Sequence, residues 1–407
     1  MSTAIAQILI ATAIYIPFLI TSSLYAVIMI ISMIRKASLD LTPTTSQEGL
    51  QGDDEPLAIV IPVYREARKH ISKTLESLKS QVLRKGIHIK LYIVLEEEDP
   101  NAADLIKFIK TNYADLTNVV FVINRGKRIS KASAINKVSK EIAEEIVMFL
   151  DSAVELKDRD TLNLVSLYLQ DFDLVFMPVE MSGEGVIGTI SLIDTCGWFE
   201  DVLLRLWRAT GYPIINGGCF ALKREVLSRI TPLPIHILTE DAYLRILFYR
   251  YGFKVAMLRR WCRKSSPKNL QAFIKQRLRW YRGYYQCLAA AFRLYRGKTL
   301  LQVIAPYLTP IVMASCIPAL ILFVTTMFAT TTLLLIHILA TIALLHFLTI
   351  MIVAGLGAYF TLRRRGYTLL KSLFYILVYM LFFIFEGLIA LVSMILPRIG
   401  WYRTERA

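Results

Sequence analysis

The sequence predicts an α/β domain flanked on both sides by membrane-spanning helices. Two long stretches, residues 4–34 and 299–362, contain no Asp, Glu, Lys or Arg, and a charged segment lies between them. Within that segment, short apolar runs alternate with segments of helical spacing, which is typical of a parallel sheet covered by helices on both faces. Since about 20 apolar residues can cross a bilayer as a helix, the first stretch predicts one span and the second predicts two or three.

The N-terminal apolar stretch is interpreted as a retained membrane helix, predicted over residues 1–36. A cleaved signal peptide would have an apolar core of only about 7 to 15 residues behind a basic start. Here the run is longer, and its first basic residues, Arg35 and Lys36, come at its far end. Because Lys and Arg accumulate on cytosolic loops, these residues and residues 363–365 predict a multi-pass protein of the cell membrane with a cytosolic middle domain.

The last apolar run, residues 372–397, leaves the C-terminal topology open. One full crossing there would place the arginine-rich tail outside the cell, so the alternatives are an interfacial or re-entrant segment, or three earlier spans. Glu386 interrupts the run. An acid at membrane depth is costly and normally faces protein or water, so Glu386 either lines a passage for polymer or lipid or snorkels to the interface.

Composition argues against two other classes of protein. The 407-residue chain has 55% hydrophobic residues and a net charge of +15. We attribute the positive charge to membrane topology and phosphate chemistry, and we predict no nucleic-acid partner. The five cysteines are odd in number and form no CxxC pair, so neither a disulfide framework nor a zinc site is predicted.

Polar residues follow several of the predicted strands. Strands are predicted at residues 57–62, 87–95, 118–123 and 146–150. Three helices alternate with them: one that ends at residue 83, one at residues 102–113 and one at residues 131–145. Tyr64 and Glu66 follow the first strand, Glu96 follows the second and Asp151 follows the fourth. Sheets of this kind bind ligands at the carboxyl ends of their strands, although a helix N-cap is the alternative for each acid.

Several short motifs occur along the chain. They are Ile61-Pro-Val-Tyr-Arg-Glu66, Lys131-Ala-Ser-Ala-Ile-Asn136, Phe149-Leu-Asp-Ser-Ala153, Asn216-Gly-Gly-Cys219, Thr239-Glu-Asp241 and Gln276-Arg-Leu-Arg-Trp280. In this order they resemble the membrane-integrated family 2 glycosyltransferases, which include cellulose, chitin and hyaluronan synthases. The resemblance covers residues 58–283, and residues 400–406 form a family-like tail.

The resemblance implies a GT-A type (Rossmann-like) α/β fold with added α-helical transmembrane segments. We assign the cytosolic glycosyltransferase domain to residues 37–298, including an interfacial helix at residues 271–296 that carries the QxxRW motif. Residues 299–407 are predicted to form transmembrane or interfacial helices and a cytosolic tail.

The same resemblance implies that a nucleotide-sugar donor is bound by nine residues of the glycosyltransferase domain. They are Pro62, Tyr64, Glu66, Glu96, Lys131, Asp151, Gln276, Arg279 and Trp280. Lys131 opens a predicted helix, where free N–H groups and the helix dipole favour a diphosphate. A solvated lysine on an amphipathic helix is the alternative. Arg279 suits diphosphate oxygens and Trp280 offers a flat surface, while a basic helix lying on the membrane is the alternative for that segment.

A divalent cation, Mg²⁺ or Mn²⁺, is implied by the position of Asp151. In relatives an Asp-x-Asp motif holds such an ion against the donor diphosphate, but Ala153 replaces the second Asp here. Mg²⁺ sites often use one or two carboxylates together with substrate phosphates. Asp151 is therefore the predicted metal ligand, Glu155 is a substitute candidate, and metal dependence is an open question.

The acceptor site and the general base are also implied by the resemblance. The acceptor residues are Gly217, Gly218, Cys219, Glu240 and Trp280. Asp241 is the predicted general base, because inverting transfer needs a carboxylate to take the proton of the acceptor hydroxyl. An N-cap for a helix over residues 242–251 is the alternative for Asp241.

The predicted function is inverting transfer of a sugar from a nucleotide-sugar, with a UDP-sugar favoured, to a growing polysaccharide. The enzyme could in addition pass the polymer across the membrane. Transfer of a single sugar to a lipid-linked acceptor is one alternative. A catalytically impaired scaffold or transporter is another, which Ala153 supports. The predicted partners are the donor, a polysaccharide or lipid acceptor and membrane lipid.

Overall fold

The chain forms two compact units. The structure is a computed structural model that describes residues 2–34, 55–114, 118–125, 130–327, 334–396 and 404–406. Among these, the sheet unit takes its residues from Ser38–Gly183, Pro213–Ser266 and Glu405–Ala407, and the helical unit from Met1–Ala37, Glu184–Tyr212 and Pro267–Thr404. The predicted domain limits stay predictions, and Arg35, Lys36 and residues 400–403 lie outside the described residues.

The four strands predicted from the sequence are present in the sheet unit as the first four strands, and six further strands follow among the described residues. In chain order the strands are β1 (Glu55–Val63), β2 (Ile87–Glu96), β3 (Val119–Asn124), β4 (Ile146–Leu150), β5 (Val154–Leu156), β6 (Leu174–Phe176), β7 (Val179–Ser182), β8 (Cys219–Lys223), β9 (Val255–Met257) and β10 (Cys262–Ser265). One sheet has the order β3-β2-β1-β4-β8-β6-β9 and a smaller one has the order β5-β10-β7. The inner strand β1 is buried on both faces, which explains its unbroken apolar run.

Helices surround these strands and make up most of the helical unit. They are α1 (Ser2–Ile34), α2 (Arg68–Lys79), α3 (Ala102–Asn112), α4 (Lys131–Val138), α5 (Thr161–Asp171), α6 (Gly185–Leu192), α7 (Leu204–Thr210), α8 (Arg224–Ile230), α9 (Glu240–Tyr251), α10 (Leu270–Leu294), α11 (Gly297–Ile304), α12 (Thr309–Ala314), α13 (Cys316–Met327), α14 (Leu334–Arg364) and α15 (Leu369–Ile395). A π-helix covers Ile193–Leu203 and a 3-10 helix covers Ala305–Leu308.

Helix α4 is shorter than the sequence predicts, ending at Val138 and not at residue 145. Two backbone bonds of turn type follow, from Lys140 N to Lys137 O at 3.3 Å and from Glu141 N to Val138 O at 2.9 Å. Bonds that span three residues tighten the chain at a helix end. The apolar spacing continues past this point, which is why the sequence predicted a longer helix.

The predicted parallel arrangement is confirmed for the four predicted strands, and the sheet continues with a strand of opposite direction, β8. Strands β1, β2, β3 and β4 are parallel, but β8 runs antiparallel to both β4 and β6. The residues that precede β8 therefore lie at the edge where β4 ends. Asp151 N donates to Gly218 O at 3.0 Å across this edge. The reversal of one strand thus brings two motifs that are distant in sequence into contact.

Among the described residues of the helical unit, four segments are long and apolar enough to cross a membrane. They are Ala6–Ile30, Gly297–Met327, Ile336–Arg364 and Leu369–Ile395. The predicted transmembrane helices are thereby confirmed as apolar helices of sufficient length. Large apolar side chains on α15, such as Leu370 and Leu381, are 80% and 70% exposed, and exposed apolar surface of this extent is typical of a membrane-contacting face.

A cluster of charged residues is buried inside the helical unit. The Arg277 guanidinium contacts Asp194 through Nη2, and its Nε lies 3.4 Å from Glu386 Oε2. The Tyr281 hydroxyl donates a hydrogen bond to the same oxygen of Glu386. We term these four residues the helical-unit cluster. Glu386 is 2% exposed, so the interpretation of Glu386 as a snorkelling residue is wrong. Its carboxylate faces protein.

Candidate active site

Lys131 connects several of the predicted site residues at the edge of the main sheet. It is the first residue of α4, and its Nζ lies 2.8 Å from Asp151 Oδ1 and 3.2 Å from Glu240 Oε1. The same ammonium donates to Gly217 O at 2.7 Å. The alternative of a solvated lysine is therefore wrong. Burial would lower the pKa of Lys131, but Asp151 and Glu240 outweigh it and raise that pKa.

The carboxylate of Asp241 is held by the backbone of the loop before β8. Asp241 Oδ2 accepts a hydrogen bond from Gly217 N at 3.1 Å. Helix α9 begins at Glu240 with Thr239 as its N-cap, so Asp241 lies in the first turn and is not the N-cap. A Cβ at Gly217 would lie 2.6 Å from Asp241 Cβ. Only glycine permits this approach of the backbone to the carboxylate.

Glu240 lies beside Asp241 and is buried. Burial raises the pKa of the Glu240 carboxyl and Asp241 adds to this effect, while Lys131 acts in the opposite direction. The two neighbouring acids, Glu240 and Asp241, thus lie near one ammonium group, that of Lys131, and the two carboxyl groups differ in their surroundings. Groups of this kind are frequent at functional sites.

Lys264 also contacts the Asp151 carboxylate and was not predicted from the sequence. It lies on β10, whose register pairs it with Val154 of β5, and its ammonium contacts Asp151 Oδ2. Burial lowers the pKa of Lys264 to about 8, against the opposing effect of Asp151 and with a further lowering by Arg406. Lys264 belongs to none of the motifs, and the strand pairing that places it was not visible in the sequence.

Asp151 is therefore held between two ammonium groups. Burial alone would raise the pKa of Asp151, but Lys131 and Lys264 hold it well below its usual range. The carboxylate is ionised at any physiological pH. We term Lys131, Asp151, Lys264, Glu240 and Asp241 the sheet-unit cluster.

Glu66 lies close to this cluster and contacts the C-terminal tail. Its Oε2 accepts a hydrogen bond from Ser152 Oγ at 3.0 Å and lies 3.4 Å from Arg406 Nη1. Arg406 belongs to the family-like tail that the sequence indicates at residues 400–406. The contact of Arg406 with Glu66 could not be predicted from the sequence. The tail thus supplies a guanidinium to the carboxyl edge of the sheet.

Three other residues predicted to bind the donor, Pro62, Tyr64 and Glu96, lie at or near the ends of β1 and β2. Pro62 is buried within β1 opposite Val94. The Tyr64 hydroxyl lies 3.3 Å from Glu98 Oε1. Glu96 is fully buried, and its Oε2 accepts a bond from Asn124 Nδ2 at 2.7 Å. Their proposed contacts with a nucleotide stay predictions.

Two further predicted acceptor residues, Gly218 and Cys219, lie at the start of β8. A Cβ at Gly218 would lie 3.0 Å from Val179 Cγ2. The Cys219 side chain is fully buried, and burial together with a hydrogen bond to Cys262 raises its pKa. An acceptor contact by Cys219 would therefore have to come from its backbone. The acceptor roles of both residues stay predictions.

The motif residues Gln276, Arg279 and Trp280 belong to α10 in the helical unit. Gln276 Oε1 accepts a bond from Arg277 Nη1 at 2.7 Å, and Gln276 Nε2 lies 3.4 Å from Thr404 Oγ1. The Arg277 guanidinium lies 4.5 Å from the centroid of the Trp280 ring. Arg277, which the motif treats as variable, is thus the residue around which this part of α10 is packed. The donor roles of the three motif residues stay predictions.

The surroundings of the Asp151 carboxylate do not fit a site for a divalent cation. Hard cations take several oxygen ligands, whereas both oxygens of Asp151 contact ammonium groups. Glu155, the substitute candidate, lies 3.9 Å from Lys73 Nζ. In the part of the chain that the structure describes, no group of three His, Cys, Asp or Glu residues is placed to hold a metal ion.

Comparisons with known proteins agree with this architecture. The family model Glycosyltransferase like family 2 matches residues 55–283, and the model Glycosyl transferase family group 2 matches residues 208–397. A mannosyltransferase of Pyrobaculum calidifontis, solved with GDP-Man and Mn²⁺, superposes with a TM-score of 0.59 at 19% identity, over 94% of this chain and 99% of that one. This likeness confirms the predicted GT-A type fold.

Two curated relatives match a smaller share of this chain than the solved structure does. An N-acetylglucosaminyltransferase of Mesorhizobium japonicum is 25% identical, over 70% of this chain and 70% of its own. A poly-beta-1,6-N-acetyl-D-glucosamine synthase of Staphylococcus epidermidis is 23% identical, over 58% of this chain and 57% of its own. The first family model covers more than half of the residues, and the chain therefore belongs to glycosyltransferase family 2.

Proposed function

We propose that this chain is an inverting glycosyltransferase of the cell membrane that transfers a sugar from a UDP-sugar to a growing polysaccharide. The observation that carries the proposal is the Asp241 carboxylate, which Gly217 N–H orients at 3.1 Å in the sheet-unit cluster. A general base must be fixed in position and next to charge that can stabilise the products. Asp241 meets both requirements.

In the proposed reaction, Asp241 takes the proton of an acceptor hydroxyl. The hydroxyl oxygen forms a bond to the anomeric carbon from the face opposite the leaving group, and the configuration inverts. The bond between that carbon and the donor phosphate oxygen breaks, and its electron pair leaves with the nucleoside diphosphate. Lys131, at the N-terminus of α4, is suited to the charge that develops there.

A polysaccharide product is supported by the names of relatives and by the motif of α10. The Staphylococcus epidermidis relative is a polysaccharide synthase, and Gln276-Arg-Leu-Arg-Trp280 matches the QxxRW motif of the membrane-integrated synthases. We assign Arg279 to the donor diphosphate and Trp280 to the donor or acceptor sugar. Passage of the polymer through the helical unit is part of this proposal.

A cytosolic catalytic site is supported by the basic residues that flank the candidate spans, Arg35, Lys36 and residues 363–365, because Lys and Arg accumulate on cytosolic loops. Arg406 lies 3.4 Å from Glu66 inside the sheet unit, so both residues lie on one side of the membrane. An even number of crossings must then separate Ser266 from Glu405. Three of the candidate spans lie in that interval, and we propose that one of them does not cross the membrane fully. With that arrangement a cytosolic tail is compatible with a cytosolic catalytic site.

The tail position can be measured directly because all five native cysteines are buried. The exposed Glu405 is replaced by Glu405→Cys, and this variant should react with a membrane-impermeant maleimide in inverted vesicles and not in intact cells. Labelling in intact cells would place the tail outside and contradict the proposed topology.

The function is tested with purified full-length protein and a panel of labelled nucleotide-sugars that includes UDP-N-acetylglucosamine and GDP-mannose. We expect transfer from a UDP-sugar into a product of many sugars, with inverted anomeric configuration by NMR. A single addition to lipid would replace the polysaccharide assignment with lipid glycosylation, and retention of configuration would contradict the role of Asp241. No transfer from any donor would support a scaffold or transporter.

A further inference from the structure

The sheet-unit cluster contains a lysine in contact with the carboxylate expected to bind a metal. The Lys264 ammonium contacts Asp151 Oδ2, while Lys131 lies 2.8 Å from Asp151 Oδ1. The side chain of Lys264 is 9% exposed, so its charge is enclosed by protein. An ammonium is seldom buried in this way without a functional or structural reason.

The position of Lys264 coincides with the loss of the second Asp of the motif. Lys264 pairs with Val154, the residue that directly follows Ala153. The ammonium therefore reaches the turn between β4 and β5, where a pair of carboxylates would gather around a divalent ion. In this chain a positive charge belonging to the protein lies at that turn, and one carboxylate is absent.

The two lysines differ in how many of their donors are in use. An ammonium has three N–H donors. Lys131 contacts Asp151, Glu240 and Gly217 O, which accounts for all of its donors. Within the described residues, the contact of Lys264 is with Asp151, so Lys264 retains donors for the oxygens of a bound phosphate. Arg406, whose charge acts on Lys264, adds a second positive group nearby.

We propose that the Lys264 ammonium takes the place of the divalent cation, so that this enzyme binds its donor diphosphate and transfers sugar without a metal ion. The proposal rests on the proposed function and specifies how the leaving group is stabilised. As the bond from the anomeric carbon to the phosphate oxygen breaks, the electron pair stays on that oxygen. Lys264 keeps its proton and neutralises the charge, and the acceptor proton goes to Asp241.

The first test measures binding and not turnover. Full-length protein in detergent is titrated with UDP and with GDP by calorimetry, once in EDTA and once with Mn²⁺. We expect the preferred nucleotide to bind with the same Kd, within about twofold, in both conditions, because the positive charge is already present in the protein. Tightening by about tenfold or more on adding Mn²⁺ would overturn the proposal.

The second test removes the charge of Lys264. Lys264→Met in EDTA should weaken nucleotide binding by about tenfold or more, since a charge-assisted hydrogen bond is lost. Mn²⁺ should restore part of the affinity, because Asp151 Oδ2 is then available, and bound Mn²⁺ should appear in the EPR spectrum of this variant. Lys264→Arg should bind in EDTA nearly as the wild type does. Unchanged binding by Lys264→Met would overturn the role of Lys264.

Lys157→Met is the matched control. Lys157 is a partly buried lysine paired with Glu180 in the same unit, and its loss should leave the Kd unchanged. If Lys264→Met does not fold, the wild-type comparison in EDTA and Mn²⁺ still decides the proposal. If the wild type binds neither nucleotide in any condition, the proposed function fails and this inference fails with it. Binding that requires Mn²⁺ overturns the inference and leaves the proposed function intact.

Discussion

The two units each bury a cluster of charged side chains, but the two clusters differ in how completely they are enclosed. In the helical-unit cluster, the side chains of Arg277 and Glu386 are 1% and 3% exposed. In the sheet-unit cluster, the side chain of Asp151 is 22% exposed although it contacts two lysines. Arg277 and Glu386 are thus almost fully enclosed by protein, whereas Asp151 keeps part of its surface accessible to a ligand.

This difference indicates two uses of buried charge. The partners of Arg277 come from the π-helix, from α10 and from α15, so the cluster joins segments that are distant in sequence and contributes to the fold. The sheet-unit cluster joins the ends of α4, β4 and α9 at the edge of a sheet, where ligands bind in this class of fold. Loss of the first should therefore affect stability, and loss of the second should affect chemistry.

The largest expected effect is on stability and comes from Arg277→Met. Removing one partner of a buried ion pair leaves uncompensated charge and costs about 3–5 kcal/mol. Here Glu386 and Asp194 would both lose their cation. Thermal unfolding in detergent should show a large fall in Tm, and the exposed Arg293→Met on the same helix serves as the control. An unfolding temperature equal to that of the wild type would remove the structural role from the helical-unit cluster.

Gly217→Ala should produce a smaller effect, and on turnover instead of stability. The added Cβ would lie 2.6 Å from Asp241 Cβ, so the carboxylate must move. A displacement of about 1 Å in a catalytic group can cost about 100-fold in rate. We expect kcat to fall by about that factor with donor Kd nearly unchanged. Gly357→Ala, where the Cβ meets open space, is the control, and a wild-type kcat for Gly217→Ala would show that the contact is dispensable.

The smallest effect is expected for Glu155→Gln. This residue was the substitute candidate for the missing carboxylate of the motif, but it lies 3.9 Å from Lys73 Nζ and is partly exposed. Ion pairs of this kind contribute only about 0–1 kcal/mol. Transfer rate and nucleotide binding should change by less than about twofold, a difference within that energy range. A large loss of activity would return Glu155 to the site and extend the sheet-unit cluster.

The sequence predicted what depends on local pattern, namely the apolar strands, the apolar helices and the motif residues Lys131, Asp151 and Asp241. It could not predict Lys264 or Arg406, because their partners are set by strand pairing and by the return of the tail. The antiparallel β8 was missed for the same reason, since strand direction is not encoded in apolar spacing. Arg277 was overlooked because the motif assigns no role to its position.

The proposal that Asp241 is the general base is tested most directly by Asp241→Asn, which keeps the size of the side chain and removes its basicity. The account predicts that sugar transfer in a single-turnover assay falls by about 100-fold to 10,000-fold, the range for loss of a general base. Donor Kd and Tm should stay at the wild-type values. Transfer at the wild-type rate by Asp241→Asn would contradict the account.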